Sequence, residues 1–174
     1  SGLIYDGAFS EHITSIQKKG LTGDDIDEEK AKQKVKEFYK EDKIESINSN
    51  GYSENAEIPS FDFTVKMKDS DNLATISVSK KEEHIIFANN KKTVNAETIS
   101  QEKADEIGKK FLDEHGYKDM KETYYLKQNG IVTINYAYSQ TTSSGEKVVI
   151  YPDLIKLKVA LDDGSVLGIE TSGY

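Results

Sequence analysis

Clustered aspartates are the residues in this sequence that most resemble a metal site. Asp24, Asp25 and Asp27 form one cluster, and residues 69–72 (Asp-Ser-Asp-Asn) form another. Both supply the hard oxygen donors that Ca²⁺ prefers. Neither follows the EF-hand order, because Leu73 occupies the next ligand position and the required glycine is missing. We interpret the clusters as a helix cap and a turn, and predict no metal site.

Histidine and serine could provide a general base and a nucleophile. The three histidines are His12, His84 and His115, and no two of them have the four-residue spacing of an H-E-x-x-H helix. No G-x-S-x-G motif is present either. The sequence therefore offers no recognisable base and orienting acid for a hydrolase, and no cofactor motif.

Paired carboxylates could act as a glycosidase pair on peptidoglycan. The candidates are Glu28-Glu29 and Glu82-Glu83. A working pair must converge across a cleft, with one carboxyl partly desolvated so that its pKa rises. These glutamates fall in the first turn of a predicted helix and in a predicted hairpin, where water normally reaches them. We predict that the chain is not an enzyme.

Tyrosine is the enriched aromatic residue, with 10 tyrosines and no tryptophan. Five of them lie in or beside predicted strands of the second half: Tyr124, Tyr125, Tyr136, Tyr138 and Tyr151. In an alternating strand, part of such a set packs in the core. The remainder could form a contact surface of the kind that is enriched in protein interfaces, so these five are the candidate partner surface.

Composition excludes several classes of partner. The net charge is −8, and every basic side chain is a lysine. Nucleic-acid binding needs a basic stripe, which is absent, and acidic proteins adsorb poorly to anionic lipid. No apolar run approaches the roughly 20 residues that span a bilayer, so we expect no membrane contact by these residues. The absence of cysteine suits an extracytoplasmic protein.

A repeated phrase organises the chain. Residues 26–31 (IDEEKA) match residues 99–104 (ISQEKA), an offset of 99 minus 26, or 73, which also carries Phe38 onto Phe111. Asp27 and Ser100 are predicted N-caps, and each is followed by glutamates and one apolar stripe. Repeats of this length usually mean duplicated domains.

Alternating strands follow each predicted helix. The first half has runs over 61–67, 76–78 and 85–87, and the second has runs over 132–138, 157–161 and 166–169. The sequence thus predicts an α+β fold with two tandem units, each one helix packed on a short antiparallel sheet. The first unit is residues 24–92 and the second 93–174, while 1–23 is a connector or the tail of a preceding unit. The polar residues 89–92 are the predicted linker.

This unit resembles the PepSY domain, and the whole chain resembles the C-terminal region of the YpeB family of spore germination proteins. The resemblance is carried by 3–7 (LIYDG), 9–13 (FSEHI), 19–23 (KGLTG), 76–81 (ISVSKK), 116–120 (GYKDM) and, most specifically, 151–161 (YPDLIKLKVAL). The sequence departs from the family pattern at Glu82-Glu83, where glycines are expected, and at Phe87, where tryptophan is common.

The resemblance implies a non-catalytic binding module. Such proteins are anchored, through a region absent from this chain, at the outer face of the inner spore membrane. Their expected partner is a SleB-like cortex-lytic enzyme, which the module stabilises or restrains in the dormant spore. The alternatives are a PepSY-type protease inhibitor and a domain that binds or hydrolyses peptidoglycan. No catalytic residue, cofactor or metal ligand is implied.

Overall fold

The computed structural model of the chain describes residues 24–54, 58–68, 70–81 and 83–171. These ranges contain two α-helices, α1 (Glu28–Tyr39) and α2 (Gln101–Glu114), and a short 3₁₀ helix (Glu41–Lys43). The predicted caps are confirmed, because the side chains of Asp27 and Ser100 accept hydrogen bonds from the amides of Lys30 and Lys103 at 2.8 and 3.0 Å. Gly116, just beyond α2, has a φ of 85° and ends that helix as predicted.

Eight strands in the described part of the chain form one antiparallel sheet. In chain order they are β1 (Ile44–Ser53), β2 (Ser60–Met67), β3 (Leu73–Ser79), β4 (Ile85–Asn90), β5 (Met120–Gln128), β6 (Ile131–Thr141), β7 (Lys147–Ala160) and β8 (Val166–Glu170). Their order across the sheet is β1-β2-β3-β4-β8-β7-β6-β5. The α+β class is confirmed. The two separate short sheets that we predicted are instead one sheet, because β4 pairs with β8.

Both helices pack on the same face of this sheet. Their buried side chains, including Ala31, Val35 and Leu112, belong to one core cluster with the alternating apolar positions of the strands. The helices touch through Phe38 and Phe111, whose ring centroids lie 5.6 Å apart in an edge-to-face arrangement. The opposite face of the sheet carries no helix in the described part of the chain, and we call it the open face.

Three features of the strands differ from the sequence prediction. The strand β1 was not predicted, because its sequence IESINSNGYS is polar and lacks clear alternation. The strand β5 was recognised only through its tyrosines. The predicted linker begins two residues too early, since Asn89 and Asn90 complete β4 through pairing with β3.

The segment between the two halves is extended and anchored rather than loose. Val94 packs in a small apolar cluster with Ala160 and Leu167. The amides of Thr98 and Ile99 donate hydrogen bonds to the carbonyl of Leu161 at 2.8 and 2.9 Å. The segment therefore adds a tertiary connection between the first half and the β7–β8 hairpin. No helix in the described ranges is long and apolar enough to cross a membrane.

Candidate partner-binding surface

Two of the five candidate tyrosines are core residues. Tyr136 and Tyr138 are buried, so the interpretation of these two as a contact surface is wrong. Tyr136 points from β6 toward α2, where its hydroxyl donates a hydrogen bond to Asp105 Oδ1 at 2.9 Å. Gly108 leaves room for the ring, because a Cβ at that position would lie only 2.3 Å from the Tyr136 oxygen. Alternation alone could not separate a buried tyrosine with a partner from an exposed one.

Tyr125 is also turned toward the helices. It is partly buried and packs against the main core. Nearby, Lys109 Nζ lies 3.3 Å from Asp105 Oδ2 and also pairs with Glu122. Burial, together with the charges of Asp105 and Glu122, raises the pKa of Tyr125 to about 12. The group is thus an acid, lysine and tyrosine cluster that attaches α2 to the sheet.

Tyr124 is the candidate tyrosine that the described structure exposes most. Its side chain is 55% exposed, and Leu126, two residues further along β5, is 47% exposed. Because side chains alternate along a strand and Tyr125 faces the core, Tyr124 and Leu126 project from the open face. Tyr151 pairs with Tyr138 through the β6–β7 ladder, and its part in a surface stays a prediction.

The strand that carries Tyr124 is an edge of the sheet. β5 pairs with β6 on one side and has no strand neighbour on the other among the described residues. A strand in that position presents a row of backbone donors and acceptors. β1 is the other edge, but it is interrupted by two register shifts and carries mainly polar side chains. The β5 edge is therefore better suited than the β1 edge to pair with another extended chain.

Lysines accompany the exposed apolar pair on the open face. Lys156 and Lys158 lie on β7 opposite Asn135 and Thr133 of β6, and alternate with Leu157, which is in the core. Lys121 is exposed on β5. Glu170 of β8 lies opposite Lys156, so the excess of positive charge on this face comes from Lys121 and Lys158. In a chain with a net charge of −8, this local excess favours acidic groups on whatever contacts it. Sequence reasoning missed Leu126 and these lysines, because the face that a strand exposes depends on its neighbours.

Two of the residues considered for catalysis, His115 and Glu28, make structural contacts. His115 stacks on Phe111 at 4.0 Å, and its Nδ1 lies 2.8 Å from the Phe111 carbonyl oxygen. Burial lowers the pKa of His115, so the neutral ring is favoured. Glu28 accepts a hydrogen bond from Ser49. His12, Asp69 and Glu82 lie outside the described residues.

The described ranges also contain no cluster of side chains that could bind a metal ion. Within residues 24–54, 58–68, 70–81 and 83–171, no three histidine, aspartate or glutamate side chains are close enough to hold an ion. The first aspartate cluster instead caps α1 through Asp27 and pairs with lysine through Asp25, whose oxygens lie 2.6 Å from Lys81 Nζ and 3.7 Å from Lys80 Nζ. The cap interpretation of that cluster agrees with these contacts.

The turn at the family's glycine position has an unusual backbone. Glu83 adopts a φ of 52° between β3 and β4, a left-handed conformation that glycine adopts more easily. Its carboxylate lies 3.9 Å from Lys30 Nζ on α1. A glutamate therefore occupies a backbone conformation that favours glycine, at some cost in backbone strain.

The fold defines a class of small α+β domain, with one antiparallel sheet covered by helices on one face and open on the other. Comparison with known families places it further. The model of the YpeB sporulation family, PepSY1 and PepSY2 domains, matches residues 1–174. The chain belongs to this family.

Relatives and a solved structure agree with that assignment. Sporulation protein YpeB of Bacillus subtilis is 27% identical in an alignment of 169 residues that covers 92% of this chain and 36% of that protein. YpeB of Oceanobacillus iheyensis is 25% identical over 158 residues, covering 90% of this chain and 33% of the relative. The chain thus spans about a third of these relatives. The Bacillus megaterium YpeB C-terminal domain has a similar fold, with a TM-score of 0.73 and 20% identity over 87% of this chain and 65% of that one.

Proposed function

We propose that the chain is a non-catalytic, protein-binding part of a spore germination protein, which stabilises or restrains a SleB-like cortex-lytic enzyme in the dormant spore. Its place would be the outer face of the inner spore membrane, with the anchor in a part of the protein outside this chain. Family membership supports the setting. The single observation that supports binding is the exposed β5 edge with Tyr124 and Leu126.

The binding mode that fits this edge is strand addition. An extended segment of the partner would pair with the outer side of β5 through backbone hydrogen bonds, which supply affinity. Tyr124 and Leu126 would contact alternate side chains of the added strand, which supply selectivity. Lys121 would favour acidic residues in the segment. Such a partner segment would be shielded from proteases while bound.

We also propose that the sheet arose from two PepSY-like units. In chain order, α1 is followed by β1–β4, and α2 is followed by β5–β8. The last strands of the two series, β4 and β8, are the pair that joins them. Duplication of a unit with one helix and four strands, over residues 24–92 and 93–174, accounts for both the order and the 73-residue offset.

The binding proposal is tested by calorimetric titration of the cortex-lytic enzyme with the purified chain. We expect association, and a loss of affinity of about tenfold or more in the double variant Tyr124→Ser/Leu126→Ser, as for exposed aromatic and aliphatic anchors. Leu73→Ser is the matched control, since Leu73 is 49% exposed on β3 in the first half. Equal losses in both variants would contradict binding at β5. No association at tens of micromolar would contradict a direct contact between this chain and the enzyme.

A further inference from the structure

A cleft of about 1000 Å³ lies between the two helices. Its apolar lining includes Phe38 of α1, Phe111 and Ile107 of α2, and Met67 and Ile85 from the strands. It is on the helix-covered side of the sheet, so it is separate from the β5 edge and the open face. Its volume is at the upper end of the range that small-molecule sites occupy.

The charged residues of the cleft include more lysines than carboxylates. Among the described residues, five lysines and four acidic residues line it, in a chain whose net charge is −8. Two of the lysines are neutralised locally, since Lys34 lies 3.7 Å from Glu37 and Lys92 lies 3.0 Å from Asp163. The charges that remain are those of Lys40, Lys43 and Lys110 against Asp71 and Glu114, and none of these five makes an ion pair with another described residue. The cleft therefore keeps an excess of one positive charge.

Tyr39 contributes a buried polar group to the same place. It lines the cleft and is only 5% exposed. Its hydroxyl has no hydrogen-bond partner in the described part of the chain. A buried hydroxyl without a partner is unfavourable, and in native proteins most such groups have one. A ligand that accepts a hydrogen bond would supply it.

The backbone at the rim of the cleft is strained. Lys40, which follows Tyr39, has a φ of 68° and a ψ of 115°, outside the regions that non-glycine residues usually adopt. Such conformations are costly and cluster at functional sites, where the surrounding structure maintains them. Here the strained residue is a lysine that lines the same cleft as Tyr39.

We propose that this cleft binds a small ligand that carries a carboxylate or phosphate group on an apolar body. The apolar part would lie against Phe38 and Phe111, and the anionic group would accept hydrogen bonds from Lys43, Lys110 and the Tyr39 hydroxyl. This site goes beyond the proposed function. Failure of partner binding at β5 would not contradict ligand binding in the cleft.

The proposal is tested with 8-anilinonaphthalene-1-sulfonate, an anionic aromatic probe that fluoresces in apolar sites. We expect saturable binding, with displacement by octanoate and by octyl phosphate. A stronger effect of one of these two competitors would distinguish carboxylate from phosphate as the preferred group. Octyltrimethylammonium has a similar apolar body and the opposite charge. Displacement by this cation as effectively as by octanoate would overturn the proposal.

Variants locate the site. The double variant Lys43→Glu/Lys110→Glu should weaken probe and octanoate affinity by about tenfold, because two charge-assisted contacts become repulsive. Lys121→Glu is the control, since Lys121 is an exposed lysine on β5, away from the cleft. Tyr39→Phe should lower octanoate affinity by about threefold without lowering the Tm, because the hydroxyl has no hydrogen-bond partner among the described residues. Circular dichroism verifies that each variant is folded. Wild-type affinity in both the lysine double variant and Tyr39→Phe would overturn the proposal.

Discussion

The two helices pack on the sheet through different side chains at corresponding positions. At the 73-residue offset, Val35 of α1 corresponds to Gly108 of α2 (108 minus 35), and Phe63 of β2 corresponds to Tyr136 of β6 (136 minus 63). All four residues are buried. The first half has an apolar ring and a branched side chain on the helix. The second half has a larger ring with a hydroxyl and only a hydrogen atom at the helix position.

The difference teaches that a larger buried ring required two further changes. Gly108 provides the space, and Asp105 provides an acceptor for the hydroxyl, which would otherwise be buried without a partner. At the offset, Lys32 of α1 occupies the place of Asp105. The second half therefore depends on a specific polar contact that the first half does without.

A substitution at Gly108 should cause the largest loss in the free energy of unfolding. Gly108→Ala would place a Cβ 2.3 Å from the Tyr136 hydroxyl oxygen, which the rigid core cannot easily relieve. We expect a loss of about 1–3 kcal/mol in the free energy of unfolding, despite the better helix propensity of alanine. Urea denaturation followed by circular dichroism measures it.

The double variant Gly108→Ala/Tyr136→Phe is the matched control. Removing the hydroxyl removes the nearest atom, and the next contact of the new Cβ is 3.3 Å, to Tyr136 Cζ. In the Tyr136→Phe background, Gly108→Ala should therefore cost little or should stabilise. An equal cost in both backgrounds would show that the hydroxyl is not what requires glycine.

The hairpin turns of the two halves form a second comparison. The β3–β4 turn has Glu83 at a φ of 52°, and the β7–β8 turn has Gly164 at a φ of 76°. Glu83→Gly should stabilise the protein by about 0.5–1 kcal/mol, because relief of the left-handed conformation exceeds the added entropy of the unfolded chain. The exposed contact with Lys30 contributes little. Thermal unfolding measures the change.

Replacement of the glycine in the β7–β8 turn by alanine is the control. Gly164→Ala should destabilise, since alanine is disfavoured at this φ and its Cβ would lie 2.8 Å from Ile107 Cδ1. If Glu83→Gly lowered the Tm instead, the Glu83 side chain would be making a contact worth more than its backbone strain.

The sequence predicted those parts of the fold whose signals are local. The caps at Asp27 and Ser100 need only the adjacent turn of helix, and the alternation around Phe63 and Ile134 needs only one strand. β1 escaped prediction because an edge strand with one half-covered face can be polar along most of its length. The offset of 73 matched the two halves but did not show that β4 pairs with β8.

The candidate surface was predictable only in part for the same reason. Tyr124 and Tyr125 are neighbours in sequence, yet one is mostly exposed and the other packs on the core. The bulge in β5 between Glu122 and Tyr124 decides which of them faces the helices, and no residue type in the sequence marks it. The cleft between the helices combines residues from both halves, so its lining depends on how β4 and β8 join.

A third comparison is between the ion pairs of the two turns, and those at Asp162 and Asp163 are shorter than the 3.9 Å contact between Glu83 and Lys30 Nζ. Lys92 Nζ lies 3.1 Å from Asp162 Oδ2 and 3.0 Å from Asp163 Oδ2, which attaches the connecting segment to the β7–β8 turn. Partial burial would raise the pKa of Asp163, but hydrogen bonds from Ser165 and Lys92 outweigh it and lower that pKa well below its ordinary value of 3.8. A carboxyl with a lowered pKa in the folded state stabilises above its unfolded pKa, and that stabilisation is lost as the pH falls.

Asp163→Asn should therefore have the smallest and most pH-dependent effect. At pH 7 we expect a loss of about 0.5 kcal/mol in the free energy of unfolding, because the pair is partly exposed to solvent. The difference between wild type and variant should shrink as the pH falls below about 4, where the unfolded carboxyl binds a proton and the folded one resists it. Urea denaturation at pH 7, 5 and 3 measures this. A difference that stays constant or grows toward pH 3 would mean that the ionised Asp163 carboxylate does not stabilise the turn.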